Sequence, residues 1–411
     1  MNWLPLALLV VLIAAETTAD FPPITSLRVA TWNIETVGEP GSDQYRAALE
    51  ILRRIDADVV ALNEIASSND SLHLAALASE AGYTSVVVPA SNPFGPDRNA
   101  FLTSLPVLAQ GVNTSALLSG DPLANDLSRL LVEITVDGPG DAIDLTLVVG
   151  HWKSGTGNDD EFRRVVESYR VAQSVWDLDP LYDAWIFLGD VNEEIDDIAR
   201  SPAFFQSEPA GLPTSFSLGA DLQSELEATG LDNDPFAPLE GAGATAIPAL
   251  QLDGSDATRP TSGRRLDYIL ASSVLMAAGV DAEVYDSLDE GLPGGRPKSG
   301  GVPLAGSSAL ASDHLPVFAD IGLPQRCGDG RLDPGEACDD GGNNGSAASC
   351  CTAGCVFKPD GPASCDGNIC TRSDTCTAGV CTPGDCATGQ PCAICGTGRC
   401  EELSGSCECG S

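Results

Sequence analysis

The cysteines of this chain are confined to its C-terminal end, and this partition limits the possible folds more than any other sequence feature. All 15 cysteines lie between Cys327 and Cys409, and the 326 residues before them contain none. A long cysteine-free segment depends on a hydrophobic core, whereas a short cysteine-rich one is stabilised by cross-links or by metal. The sequence therefore predicts a large domain at 26–323 and a small cysteine-rich module at 327–411.

The first residues indicate export. An apolar run from Leu4 to Ala15 is followed by the small residues Thr17, Thr18 and Ala19, although no Lys or Arg precedes the run. The run has the length of a signal-peptide core and is too short to span a bilayer. We interpret residues 1–19 as a signal peptide of a secreted or cell-surface protein. The alternative is a buried N-terminal strand or helix. No later segment approaches about 18 uninterrupted apolar residues, so no transmembrane segment is expected.

The cysteine-rich module has two possible forms of cross-linking. The pair Cys392 and Cys395 has the spacing of zinc ligands. Disulfides are favoured, because the tail contains no histidine and disulfides persist outside the cytosol. An odd number of cysteines leaves one thiol free, lipid-modified or joined to another molecule. The segments Cys327–Gly330 and Gly335–Gly341 resemble the cysteine-rich repeats of secreted myxobacterial and some eukaryotic surface proteins, and the expected role of the module is adhesion, surface retention or protection from proteolysis.

The charge of the chain excludes one class of nucleic-acid binding. The formal net charge is −38, from 21 basic and 59 acidic residues. Binding of a polyanion by bulk positive charge depends on an excess of Lys and Arg, which this chain lacks. Any phosphate-containing substrate must therefore be bound locally and with the help of a cation.

The large domain alternates apolar strand-like runs with amphipathic helical segments, and this pattern predicts a layered α/β domain. One helix is indicated by apolar residues from Phe162 to Trp176 that follow an acidic first turn at 158–161, and another by Tyr45, Ala48, Leu49 and Leu52. The predicted strands are Leu27–Ile34, Asp58–Asn63, Tyr83–Val88, Asn99–Thr103, Leu130–Val136, Leu145–Gly150, Ala184–Leu188, Leu266–Ala271 and Val317–Ile321.

Polar residues that could take part in catalysis or metal binding follow these strands, at the points where the chain enters a loop. They are Asn33, Glu64, His151, Asp190 with Asn192, Asp267, and Asp313 with His314. Ligand sites of layered α/β proteins collect at such edges. If the four carboxylates converge, they cannot all stay ionised without compensation, and a hard divalent cation such as Mg²⁺ would supply it. Each residue alone would be an ordinary turn former.

These six motifs resemble, in order, those of the endonuclease/exonuclease/phosphatase superfamily. The motifs are Thr31–Ile34, Leu62–Glu64, Val149–His151, Leu188–Asn192, Leu266–Tyr268 and Ser312–Pro316. The resemblance covers residues 26–323 and implies a four-layer α/β sandwich, with two packed mixed β-sheets flanked by helices. It also implies a metal-dependent hydrolase of phosphoric ester bonds that uses Mg²⁺, or Mn²⁺ or Ca²⁺ in its place.

The resemblance further implies a role for each site residue. Glu64 would be the principal metal ligand, helped by Asn33 and Asp313. Asp190 would position or deprotonate the attacking water, and Asn192 would steady the phosphate. His314, oriented by Asp267, would stabilise the transition state or protonate the leaving oxygen. His151 would hydrogen-bond a nonbridging phosphate oxygen. His73 matches no motif and is interpreted as an ordinary surface residue.

Two departures from the family pattern are present, and the second is the more informative about substrate. Asn63 precedes the ligand Glu64 where the family usually has Gln, and the segment from His151 to Ser154 resembles the secreted bacterial nuclease branch. Three basic residues near the motifs, Lys153, Arg163 and Lys298, are predicted to contact the substrate.

Three functions remain open from the sequence. The first is a secreted nuclease or broader phosphodiesterase that acts on DNA or RNA. The second is a phosphomonoesterase or a lipid phosphodiesterase of the sphingomyelinase kind, for which Phe204, Phe205 and Phe216 offer a small apolar contact. The third is an inert surface-binding protein, although none of the six motifs is broken.

Overall fold

The structure is a computed structural model, and it describes most of residues 25–324 and part of the tail. The described residues are 25–92, 94–139, 142–178, 180, 183–195, 204–324, 327–328, 330, 332, 336–363, 371–372, 374–382, 385–386, 399–403 and 406–410. The predicted signal peptide at 1–19 and the pair Cys392 and Cys395 lie outside them. The chain divides into two units, one at Pro23–Arg326 and one that contains Cys327–Ser411.

The first unit contains fifteen strands and eight helices among its described residues. The strands are β1 (Thr25–Asn33), β2 (Val59–Ile65), β3 (Ser85–Val87), β4 (Arg98–Thr103), β5 (Val107–Asn113), β6 (Leu131–Val136), β7 (Leu145–His151), β8 (Ala184–Asp190), β9 (Phe204–Phe205), β10 (Leu231–Asp232), β11 (Ala244–Ala246), β12 (Ala249–Leu250), β13 (Asp267–Ser272), β14 (Val280–Val284) and β15 (Val317–Leu323). The helices are α1 (Asp43–Ile55), α2 (Ser68–Ala81), α3 (Ser115–Ser119), α4 (Asn158–Ser174), α5 (Ala220–Ala228), α6 (Ala237–Gly241), α7 (Ser273–Ala278) and α8 (Ser307–Ala311).

Two large mixed sheets form the centre of this unit. The first sheet has the order β12-β14-β15-β1-β2-β4-β3, and the second has the order β11-β13-β8-β7-β6-β5. In each sheet the two strands that supply central site residues run parallel, β1 with β2 and β7 with β8. Their carboxyl ends therefore lie side by side, which brings the polar residues that follow them to one edge.

Apolar side chains hold the layers together. Val29 and Val59 of the first sheet belong to the same buried cluster as Leu147 and Ile186 of the second, so the two sheets pack face to face. The outer face of the first sheet packs on α1 and α2, and the outer face of the second packs on α4. The layer order is helix, sheet, sheet, helix, and the predicted four-layer α/β sandwich is confirmed.

The two predicted helices are present with clear start signals. The Oγ of Ser42 accepts a hydrogen bond from the backbone N–H of Tyr45 at the start of α1. Helix α4 begins one residue after Gly157, and its first turn carries Asp159, Asp160 and Glu161, as the sequence predicts. None of the described helices is both long and apolar enough to cross a membrane.

The cysteine-rich unit is cross-linked by disulfides, and this prediction is confirmed for the described cysteines. Three pairs are Cys327–Cys355, Cys338–Cys351 and Cys350–Cys376. Its secondary structure is short, with strands at Gly361–Ala363, Thr371–Arg372, Asp374–Thr377, Val380–Thr382, Asp385–Cys386, Arg399–Leu403 and Ser406–Gly410 and a 3₁₀ turn at Gly341–Asn343. Such a unit depends on covalent links because its apolar core is small.

Candidate active site

Strand pairing brings the predicted site residues to one edge of the sandwich. Asp190 ends β8 and pairs in register with His151 on one side and with Asp267 on the other. On the facing sheet, Asn33 ends β1 and pairs with Asn63, the residue before Glu64. The site is therefore assembled from the ends of both sheets.

Asn33 joins the two sheets at the centre of the site. Its Nδ2 donates to Glu64 Oε1 and to Asp190 Oδ2, each at 3.0 Å. Its Oδ1 accepts from the backbone N–H of Glu35, which fixes the orientation of the amide. Two carboxylates that share one amide donor lie close together, so the site carries concentrated negative charge.

The backbone at Glu64 presents its side chain to the site. Glu64 has a left-handed backbone conformation, with φ +65°, at a register shift between β2 and β4. Such a conformation is unfavourable for a residue with a Cβ and is found at functional sites. The side chain is 28% exposed, so it remains accessible to a ligand. Burial raises the pKa of Glu64, while the amide of Asn33 opposes this change.

Two glycines allow the strands that carry His151 and Asp190 to approach closely. Gly150 and Gly189 pair in β7 and β8, and a Cβ on Gly189 would lie 1.9 Å from the carbonyl oxygen of Gly150. The φ of Gly189 is +151°, which also favours glycine. The backbone therefore requires glycine at position 189, directly before the site residue Asp190.

Asp190 lies at the focus of the site. Its Oδ2 is 3.5 Å from His151 Nε2 and 3.9 Å from His314 Nε2. Its Oδ1 accepts from the backbone N–H of Asn192, which has φ +52°. Burial, together with the nearby carboxylate of Asp267, raises the pKa of Asp190.

His314 and Asp267 form a tight buried pair. His314 Nδ1 lies 2.7 Å from Asp267 Oδ2. Burial alone would lower the pKa of His314, but the carboxylate of Asp267, with those of Asp190 and Asp313, raises it to about 9. The three carboxylates therefore favour the protonated ring, and Nε2 faces Asp190.

His151 has the opposite character. Burial, and then the positive charge of Arg129, lowers the pKa of His151 well below its ordinary value. Its Nε2 faces Asp190 and Glu64, while its buried Nδ1 has no hydrogen-bond partner among the described residues. A neutral ring with the proton on Nε2 fits this environment, because the carboxylates face that nitrogen.

The remaining predicted residues are placed in different ways. Asp313 is partly exposed, and its Oδ2 accepts two hydrogen bonds from Arg259 at 3.0 and 2.7 Å. The Nδ2 of Asn192 donates to the backbone carbonyl of Trp152, so this amide supports the loop after His151. Lys153 lies in that loop, and its Nζ is 3.0 Å from Asp160 Oδ1.

Two of the three predicted substrate contacts are buried and paired with other side chains of the protein. Arg163 is buried on α4, where it donates to Ser128 Oγ and lies 5.3 Å from the ring centroid of Phe94. Lys298 is buried against Glu283, with Nζ 2.6 Å from Oε1. It lines a pocket with Ser26 and Arg28 at the start of β1, whereas Asn33 ends that strand.

Sequence reasoning missed several residues that complete the site. Asn63 is fully buried and bonds Asn99 Oδ1, the carbonyl of Gly150 and the backbone N–H of Asp190. Arg129 and Arg259 supply positive charge beside His151 and Asp313.

His73, which matches no motif, is half-buried, with Nδ1 3.2 Å from the carbonyl oxygen of Val37.

A metal ion is compatible with the donors present. Asp190, Asp267 and His314 each offer a ligand atom within 4.8 Å of the others. In that group, however, His314 Nδ1 and Asp267 Oδ2 already satisfy each other. The oxygens of Glu64 and Asp190, which share a single amide donor, are hard ligands of the type that Mg²⁺ prefers.

No curated protein sequence matches the chain. Among solved structures, the chain is similar to an endonuclease/exonuclease/phosphatase from Beutenbergia cavernae, with 18% identity, 73% of this chain and 72% of that chain covered, and a TM-score of 0.44. It is also similar to the human nocturnin catalytic domain, with 15% identity, 74% of this chain and 97% of that chain covered, and a TM-score of 0.42. A third similar structure is the beta toxin of Staphylococcus aureus, with 14% identity, 71% of this chain and 99% of that chain covered, and a TM-score of 0.42.

The sequence also matches a family model over more than half of the chain. Residues 30–314 match the model of the Endonuclease/Exonuclease/phosphatase family, and this range begins just before Asn33 and ends at His314. Members of the family hydrolyse phosphoric ester bonds with the help of a divalent metal ion. The chain therefore belongs to the endonuclease/exonuclease/phosphatase family and is a metal-dependent hydrolase of phosphoric ester bonds.

Proposed function

We propose that the chain is an exported, divalent-metal-dependent phosphodiesterase that cleaves DNA or RNA. The observation that carries the proposal is the position of Asp190 Oδ2, which lies 3.0 Å from Asn33 Nδ2, 3.5 Å from His151 Nε2 and 3.9 Å from His314 Nε2. One buried carboxylate oxygen is thus surrounded by three groups able to donate hydrogen bonds. This arrangement supports a base flanked by donors that would bind a phosphate.

Each residue has a proposed part in the hydrolysis. Asp190 would accept a proton from the attacking water, because its raised pKa suits a base that works near neutral pH. His314 would donate from Nε2 to an oxygen of the phosphate, with its ring held by Asp267. The neutral His151 would donate a second hydrogen bond from Nε2.

Glu64, with Asn33 and Asp313, would hold the metal ion, for which we propose Mg²⁺, with Mn²⁺ or Ca²⁺ as substitutes. The bound ion would neutralise charge that develops on the phosphate oxygens. The accessible side chains of Glu64 and Asp313 support this assignment.

A substrate panel tests the proposal. Plasmid DNA, RNA, sphingomyelin and inositol phosphates are incubated with the protein in Mg²⁺ or in EDTA, beside Asp190→Asn. Cleavage of DNA or RNA that requires Mg²⁺ and is lost in the variant is expected. Asp58→Asn is the matched control, because Asp58 is a partly buried carboxylate just before β2, at the opposite end of that strand from Glu64. Full activity in EDTA, or no cleavage of nucleic acid, would contradict the proposal.

The lipid alternative has less support from the apolar residues that suggested it. Phe205 is buried, with its ring centroid 5.2 Å from that of Phe162, and Phe216 also contacts Phe162. Phe204 is the exposed member of the three. The sphingomyelin arm of the panel separates this alternative from a nuclease.

We also propose that residues 1–19 direct export and that the module at 327–411 attaches the protein to the cell surface. The disulfides of the module support an oxidising compartment. Cells that express the full chain are separated into medium, surface and cytosolic fractions, and the N-terminus is sequenced. Cytosolic protein with an intact Met1 would contradict export, and protein found only in the medium would contradict attachment.

A further inference from the structure

Arg259 is held at the rim of the site by its backbone. Its N–H donates to the carbonyl of Arg264, and its own carbonyl accepts from the N–H of Gly263, so the segment forms a closed turn. The preceding residue, Thr258, is fully buried and accepts hydrogen bonds at Oγ1 from the N–H groups of Leu266 and Asp267. Arg259 is therefore fixed relative to the catalytic pair.

The guanidinium of Arg259 is only partly occupied. Its Nε and Nη2 bind one oxygen of Asp313, while Nη1 makes no hydrogen bond within the described part of the chain. The other oxygen of Asp313 lies 3.9 Å from His314 Nε2. The side chain of Arg259 is 42% exposed, and it reaches solvent beside Asp313, the residue before His314.

The exposed pair of Arg259 and Asp313 is a weak contact that a ligand can replace. Ion pairs with this exposure contribute little to stability. A guanidinium can donate two parallel, charge-assisted hydrogen bonds to two oxygens of one phosphate. In a chain of net charge −38, an accessible cation at the rim of an acidic site is well suited to attract a phosphate.

The other arginine beside the site is less accessible. Arg129 donates to the carbonyl of Trp152, lies 3.5 Å from Asp97 and is 12% exposed. Its positive charge favours a lower pKa for both Glu64 and His151. The rim next to His314 therefore has the more available cation.

We propose that Arg259 binds the phosphate next to the scissile one, so that the site accepts a strand with successive phosphodiester groups. This inference rests on the proposed nuclease function and extends it by naming a second phosphate site. It requires that Arg259 contribute to a strand substrate and contribute little to a substrate with a single phosphodiester.

The test compares two substrates for one variant. The kcat/KM of wild type and of Arg259→Ala is measured with a short oligonucleotide and with bis(p-nitrophenyl) phosphate, which has one phosphodiester and no neighbouring phosphate. We expect a loss of about 10- to 100-fold on the oligonucleotide, as for one charge-assisted contact, and a change of less than about threefold on the small diester. The salt dependence of oligonucleotide cleavage should fall by about one unit of slope.

Two further variants complete the design. Arg259→Lys retains the charge without the planar fork and is expected to recover part of the lost activity. Arg53→Ala removes the same charge from the last turn of α1, where Arg53 donates to the carbonyl of Glu80, and is expected to behave as wild type.

Each other outcome overturns the inference. Equal losses on both substrates would mean that Arg259 acts only by positioning Asp313, and the Mg²⁺ concentration needed for half-maximal activity would then change as well. No loss on either substrate would exclude a contact. If wild type cleaves the small diester but no oligonucleotide, the proposed nuclease function fails together with this inference. If wild type cleaves the oligonucleotide and Arg259→Ala is unaffected, only this inference fails.

Discussion

The two sides of the site, around His151 and around His314, approach the same oxygen of Asp190 but are built differently. His314 is bonded to Asp267 through Nδ1, and its pKa is raised to about 9. His151 has a buried Nδ1 without a partner among the described residues, and burial lowers its pKa. One ring is oriented by a carboxylate and the other by packing alone.

This difference teaches that similar distances to a reacting group do not imply similar roles. A histidine that is charged and fixed by a carboxylate can supply a proton or a strong hydrogen bond to the phosphate. A neutral histidine offers a single weaker donor. Substitutions on the His314 side are therefore expected to have the larger effects on activity.

The largest effect is expected at His314. Replacement by Ala removes the proposed proton donor and should lower kcat about 10³- to 10⁴-fold, measured with a short oligonucleotide, whose alkoxide leaving group requires a proton. His73→Gln, on the half-buried helix α2 outside the site, is the control and should leave kcat unchanged. A loss below tenfold in His314→Ala would remove the distinction between the two sides.

A smaller effect is expected at Asp267. Asp267→Asn leaves His314 in place but removes the charge that orients it, and kcat should fall about 10²-fold. Since the two residues act as a unit, the double variant with His314→Ala should be no slower than His314→Ala alone. Additive losses would show that Asp267 acts independently of His314.

A still smaller effect is expected at His151. Its Nε2 lies 3.5 and 3.8 Å from the two carboxylates, so it makes no short hydrogen bond there. His151→Asn retains a donor and should lower kcat about tenfold, with the unfolding midpoint in urea as a check on the fold. A loss equal to that of His314→Ala would contradict the comparison.

The smallest effect on activity is expected at Lys298, at the opposite edge of the first sheet. Lys298→Ala breaks a buried ion pair with Glu283 and should reduce the free energy of unfolding by about 3 kcal/mol. The kcat/KM should stay within about twofold of wild type. A selective rise in KM would indicate instead that Lys298 contacts the substrate.

Much of the fold could be predicted from the sequence, because strand patterns are local. All nine predicted strands are present, each boundary within two residues, while the short strands β9 to β12 and the longer β5 and β14 were not predicted. β5 is mostly exposed, with burial only at its end near Asn113, so its sequence lacks the alternation that marks a strand.

The motif residues of the site could also be predicted, whereas the charged residues around it could not. Lys298 follows a long loop whose path is set by ion pairs such as Lys298 with Glu283 and Arg54 with Glu290, and these are contacts of the folded chain. Arg259 lies in a segment rich in Gly, Pro and Ser, where no periodicity indicates position. A basic residue that lies near a motif in the sequence, such as Lys298, therefore need not lie near Asp190 in the folded chain.

Asn63 has a consequence for the width of the site. Its amide bonds Asn99 in one sheet and, in the other, the backbone of Gly150 and Asp190, all in a buried environment. Parting the sheets at this point would leave several polar groups without partners, at a cost of about 1–3 kcal/mol for each. The two sheets are therefore expected to keep a fixed separation at this edge, so the width of the site is set by the sandwich itself.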